Sequence, residues 1–79
     1  MPLVEISSWR TGFKKISCTQ LLQERLGIGL AAAKAYTDQV LDGERVTLVV
    51  EPLGAAIQLA DDLNALGAEA RVLDHAADV

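Results

Sequence analysis

Two kinds of apolar spacing take turns along the chain, and their succession sets out its elements. Leu3–Trp9 alternates loosely, with Leu3, Glu5 and Ser7 on one side and Val4, Ile6 and Ser8 on the other, which reads as a β-strand. Arg10-Thr11-Gly12 supplies a turn, with Gly12 giving the backbone its freedom. The spacing then becomes helical: Cys18, Leu21, Leu22 and Leu26 share one stripe, leaving Gln20, Gln23 and Glu24 outside. Ser17 or Thr19 is the expected N-cap, because a side-chain oxygen there accepts a free backbone N–H, and Gly27 is the expected C-cap. A very short connection leads to a second helix over Leu30–Leu41, with Leu30, Ala33, Thr37 and Val40 or Leu41 inward and Asp42-Gly43 at its end. Arg45–Glu51 is β-branched and apolar, the clearest strand of the chain. Pro52 fits the first turn of a third helix over Leu53–Leu66, whose inner stripe is Ala56, Leu59, Ala60, Leu63 and Leu66. Gly67 stops it, Glu69–Leu73 forms a last strand, and residues 74–79 are expected as a frayed tail.

The order β-α-α-β-α-β predicts an α+β sandwich, a single domain over residues 1–73 with three helices on one face of a three-stranded sheet. A chain of 79 residues buries only about 60% of its unfolded surface, so one thin core is expected and no deep cleft. At 51% apolar and 23% charged residues, the composition excludes disorder. The apolar share is mostly Ala, Leu and Val, with Trp9, Phe13 and Tyr36 the only aromatics.

Charge sharpens the picture. Residues 1–37 hold five basic residues against two acidic ones, a net +3, whereas residues 38–79 hold two against nine, a net −7. A domain polarised in this way steers a partner toward one face. The first residues lack a basic stretch and a cleavage site, and no apolar run approaches the ~20 residues that span a bilayer. A cytoplasmic protein is therefore expected.

Candidate chemistry is sparse. His75 falls in the expected tail, and the single Cys18 sits on the apolar stripe of the first helix, as a small buried hydrophobe would. Asp61 and Asp62 are sequence neighbours on a helix and point in different directions. Gly27-Ile28-Gly29 follows a helix instead of a strand and suits a tight helix–helix turn better than a phosphate loop. No catalytic residue, metal or cofactor is expected, and the chain does not read as an enzyme. Two surface features point to binding. Trp9-Arg10 with Phe13-Lys14-Lys15 mixes aromatic and basic residues, a pattern that can hold single-stranded nucleic acid weakly. The second helix presents Ala31, Ala35 and Ala32 beside Lys34, a small apolar strip that permits close approach of a partner.

The stretch Gly27-Ile28-Gly29-Leu30-Ala31-Ala32-Ala33-Lys34 resembles the Gly-Leu-Gly-Leu-x-x-Ala-Lys signature of the C-terminal domain of the bacterial large-subunit ribosomal stalk protein. Leu66-Gly67-Ala68-Glu69-Ala70-Arg71-Val72 is similar to that family's Ala-Gly-Ala-x-Val-x-Val close, and Lys15-Ile16 sits where the family has a Lys-Val pair. The resemblance covers Leu3–Leu73 and implies the same fold. It also implies a protein-binding role, recruitment of translational GTPases through the first two helices. By position, the binding face would comprise Lys15, Ile16, Thr19, Gln20, Gln23 and Lys34, with Lys14 adding attraction and Ala31 dry contact. The family carries basic residues where this chain has Gln20 and Gln23, and charged ones at Ala31 and Ala32. These 79 residues include neither that family's dimerisation module nor its hinge, so the expectation is either a fragment or, as Met1-Pro2 at the start suggests, a stand-alone relative. The Clp protease adaptor shares the order of elements but not the residues of its pocket: Trp9-Arg10-Thr11-Gly12 replaces the adaptor's Asn-Asp-Asp stretch. An adaptor-like regulator of a protease or secretion machine is therefore the alternative on shape alone.

Overall fold

A computed structural model describes residues 2–74. The elements are β1 (Pro2–Trp9), α1 (Lys15–Leu26), α2 (Leu30–Leu41), β2 (Val46–Val49), α3 (Leu53–Ala65) and β3 (Ala68–Asp74). The three strands form one antiparallel sheet in the order β2-β1-β3, so the first strand in sequence is the central one. This is the expected α+β architecture, with the helices on one face.

Side-chain alternation along the strands decides which face that is. Val4 and Ile6 of β1, paired with Leu48 and Val46 of β2, are buried beneath the helices. Cys18 and Leu22 come down from α1, Ala33 and Val40 from α2, and Ala56, Leu59, Ala60 and Leu63 from α3. Each fully buried leucine contributes roughly 1.5–3 kcal/mol of burial free energy. The small residues Ala33, Ala56 and Ala60 let the helices lie close to the sheet.

The opposite face of the sheet carries Leu3, Glu5, Thr47, Val49, Arg71 and Leu73. Glu5 is only 7% exposed even here. Its carboxylate accepts from Arg71 at 2.9 and 3.0 Å and lies 3.9 Å from Arg45. The arginine side chains lie over it and pair it at once, which is what a shielded carboxylate requires.

Several boundaries differ from the expectation. Helix α1 starts at Lys15, two to four residues ahead of the expected caps, and no side chain caps it. Its start is set by distant backbone instead: the Lys14 N–H donates to the Leu66 carbonyl at 2.9 Å, and the Lys14 carbonyl accepts the Cys18 N–H at 2.9 Å. Strand β2 is shorter than Arg45–Glu51, because the chain bends at Glu51-Pro52 into α3. Leu30, expected inward, is 60% exposed at the first position of α2. Strand β3 runs on through Asp74, paired with Pro2, so the expected tail loses its first residue to the sheet. The rest of that tail, with His75, lies outside the described residues.

The glycine stops act as read. Gly27 ends α1 in the left-handed conformation, φ 64°, with its N–H on the Gln23 carbonyl. Gly67 (φ 100°) passes so close to the Phe13 backbone that a Cβ there would lie 2.9 Å from the Phe13 Cα.

Candidate partner-binding groove

Helices α1 and α2 form a hairpin joined by only three residues, and a groove of about 480 Å³ runs between them. From α1 it is lined by Lys15, Ile16, Thr19, Gln20 and Gln23, and from α2 by Leu30, Lys34, Thr37, Asp38 and Leu41. Both sets follow helical spacing, so each is one continuous face of its helix.

The hydroxyls of Thr19 and Thr37 tie the two helices together. Thr19 Oγ1 donates to Thr37 Oγ1 at 2.8 Å, and Thr37 Oγ1 lies 3.2 Å from the Ala33 carbonyl oxygen that takes its own proton. Thr37 is buried, so its hydroxyl needs these partners. Next to it lies Cys18 Sγ, 3.8 Å from Thr37 Oγ1 and fully buried. Burial pushes the Cys18 thiol above its ordinary value, against a smaller lowering by the Thr37 hydroxyl. Cys18 is thus held as a neutral thiol in the core.

Around this polar tie the groove is apolar and basic. Ile16 is 69% exposed and Leu30 60%, unusually high for large aliphatic residues set in one hollow. Lys15 and Lys34 line the groove beside them, both exposed. Among the described residues the ion pairs are Arg25–Asp62, Arg45–Glu5 and Arg71–Glu5, so the groove lysines have no carboxylate within pairing distance. Asp38 is the groove's one acidic residue.

Six residues of the expected binding face therefore come together here: Lys15, Ile16, Thr19, Gln20, Gln23 and Lys34. Lys14 and Ala31 are exposed but lie outside the lining. Lys14 instead ends the turn that leads into α1. Leu30, Thr37, Asp38 and Leu41 line the groove without having been expected there. The signal for them was present in the spacing of Leu30, Lys34, Thr37, Asp38 and Leu41, which repeats by three and four from the first residue of α2. Reading Leu30 as core concealed it, whereas Thr37 is buried as expected and reaches the groove from its floor.

The Trp9-Arg10 end of the aromatic-basic segment is engaged within the fold, whereas Lys14 and Lys15 stay exposed. The Trp9 indole N–H donates to the Leu41 carbonyl at 3.3 Å, capping the end of α2. The Trp9 ring meets Phe13 at 6.3 Å between centroids, tilted by 38°. Arg10 Nη2 donates to the Asn64 carbonyl at 2.8 Å. Asp62, half of the acidic pair, accepts from Arg25 and from Gln58. Among the described residues no group of three or more His, Cys, Asp or Glu side chains is placed to hold a metal ion, and no helix is long and apolar enough to cross a membrane. Set against known protein families and curated proteins, the sequence matches none.

Proposed function

We propose that this chain is a non-enzymatic protein-binding domain that receives its partner in the α1–α2 groove. The observation that carries the reading is the conjunction of Ile16 and Leu30, both largely exposed, with Lys15 and Lys34 beside them in one hollow and without an ion pair among the described residues. Apolar residues at the centre of an interface exclude water, and charges around it steer the encounter. A segment that offers an apolar side chain to the groove and carboxylates to the lysines is the matching partner. The resemblance to the ribosomal stalk C-terminal domain makes a cytoplasmic translational GTPase the first partner to try. The engagement of Trp9 and Arg10 in the protein's own framework favours this reading over nucleic-acid binding through the Trp9–Lys15 segment.

The test is an NMR titration of the labelled chain with a translational GTPase at low salt. Shifts are expected at Lys15, Ile16, Thr19, Gln20 and Lys34. Lys34→Glu should weaken binding by up to about fivefold, since an exposed charge pair contributes ~0.2–1 kcal/mol, and should flatten its salt dependence. Ile16→Ala should weaken it more while leaving stability unchanged. A spectrum that does not move, or equal affinity in both variants, would sink the reading.

A further inference from the structure

The backbone ladder points to a second interaction surface, on the far side of β2 and independent of the groove. In an antiparallel pair, residues turn their N–H and C=O alternately toward the partner strand and away from it. The Val50 N–H donates to the Pro2 carbonyl at 3.2 Å, which fixes the phase. Val46 and Leu48 bond to β1, while Thr47 and Val49 aim their N–H and C=O at the open edge. The same phase carried across β1 turns the N–H and C=O of Ala70 outward from β3. There the Asn64 side chain meets them: its Nδ2 donates to the Ala70 carbonyl at 2.8 Å, and its Oδ1 accepts the Ala70 N–H at 3.1 Å. An amide side chain thus stands in for a neighbouring strand and interrupts the β3 edge. Among the described residues nothing covers the β2 edge in this way, and no proline, lysine or bulge falls within Val46–Val49.

We propose that β2 pairs antiparallel with β2 of a second copy, joining two sheets into one of six strands about a two-fold axis at Leu48. The occupant is read from the register. The symmetric pairing centred on Leu48 engages both outward residues of each copy: it places Thr47 opposite Val49 of the second copy, and Val49 opposite its Thr47. Continued by two residues each way, it sets Arg45 against Glu51 of the other copy on both sides of the axis. Arg45 is largely exposed and makes only a long 3.9 Å contact to Glu5, and Glu51 is exposed, so both charges are available. A parallel pairing in register would set like charges together, Arg45 on Arg45 and Glu51 on Glu51. The flanking charges therefore select the antiparallel two-fold arrangement. Val49, 54% exposed on the open sheet face, would gain cover from Thr47 across the new ladder.

Sedimentation equilibrium of the intact chain over rising concentration provides the test, with hydrogen exchange of the Thr47 and Val49 amides as the local readout. A reversible dimer is expected, with both amides slowing as it forms. Val49→Pro removes an edge donor that the β1 ladder does not use, so it should abolish the dimer and leave the fold intact. Glu51→Arg should weaken dimerisation roughly tenfold, because two symmetric pairs change from attraction to repulsion. Mixing Glu51→Arg chains with Arg45→Glu chains should restore association as a heterodimer, an outcome that misfolding of either variant could not produce. A chain that stays monomeric at every concentration overturns the proposal. So does a dimer that survives Val49→Pro, since it would be seated on another face such as the groove.

Discussion

The seam between α3 and β3 and the seam between α1 and α2 close the same small core, yet they are finished in opposite ways. At the first, polar groups meet fixed partners at every turn. Asn64 holds both backbone groups of Ala70, Arg10 holds the Asn64 carbonyl, and Lys14 and Arg10 donate backbone N–H groups to Leu66 and Gly67. Gly67 lets the Phe13 backbone come within contact of it. At the second seam the Thr19–Thr37 pair ties the helices, and around it Ile16, Leu30 and two lysines face solvent. One joint is spent on holding the fold. The other keeps unsatisfied surface for something else, so changes in the first should register as stability and changes in the second as affinity.

The sharpest way to break this contrast is Gly67→Ala. Positive φ and the 2.9 Å approach to Phe13 act together there, and a loss of about 3 kcal/mol is expected in urea unfolding. Gly12→Ala is its control: φ is also positive, but nothing stands within 4 Å, so about 1–2 kcal/mol should go. Equal losses would mean that the tight joint is not tight. Next comes Asn64→Leu, which takes away both hydrogen bonds to Ala70 and should cost about 2 kcal/mol by the same measurement. The smallest effect belongs to Thr37→Val in the open seam. Thr19 Oγ1 keeps the Lys15 carbonyl 3.0 Å away as a partner, so only about 1 kcal/mol is expected. A larger loss from Thr37→Val than from Asn64→Leu would invert the comparison.

Much of the architecture was legible because local signals agreed with one another. Gly27, Gly43 and Gly67 punctuate the chain where helices end, and β-branched Val46-Thr47-Leu48-Val49 could be little else but strand. What stayed hidden was set by distant contacts. The start of α1 depends on the Leu66 carbonyl, more than fifty residues later, and so could not be read from Ser17 or Thr19. The cover over Glu5 comes from Arg45, just ahead of β2, and from Arg71 of β3. Asn64 lies off the inner stripe of the third helix, and its partner belongs to a strand that no local pattern places beside it. In the groove, the α1 residues and Lys34 came from the resemblance. Leu30 escaped because apolar character alone does not distinguish a core position from a binding lip.

The placement of β1 between its two partners has a consequence for how the chain reaches this state. Its pairing with β2 spans some forty residues and its pairing with β3 nearly the whole length, from Pro2 to Asp74. The α1–α2 hairpin, by contrast, closes over a three-residue connection and can assemble from neighbours. A chain emerging from its N-terminus therefore acquires its helical hairpin early, while the central strand waits with one flank unpaired. Only when residues 68–74 arrive can that flank be filled and the Phe13–Gly67 joint close. Loop closure over such distances is entropically slow, so the rate-limiting event in folding should be the docking of the last strand, late and cooperative.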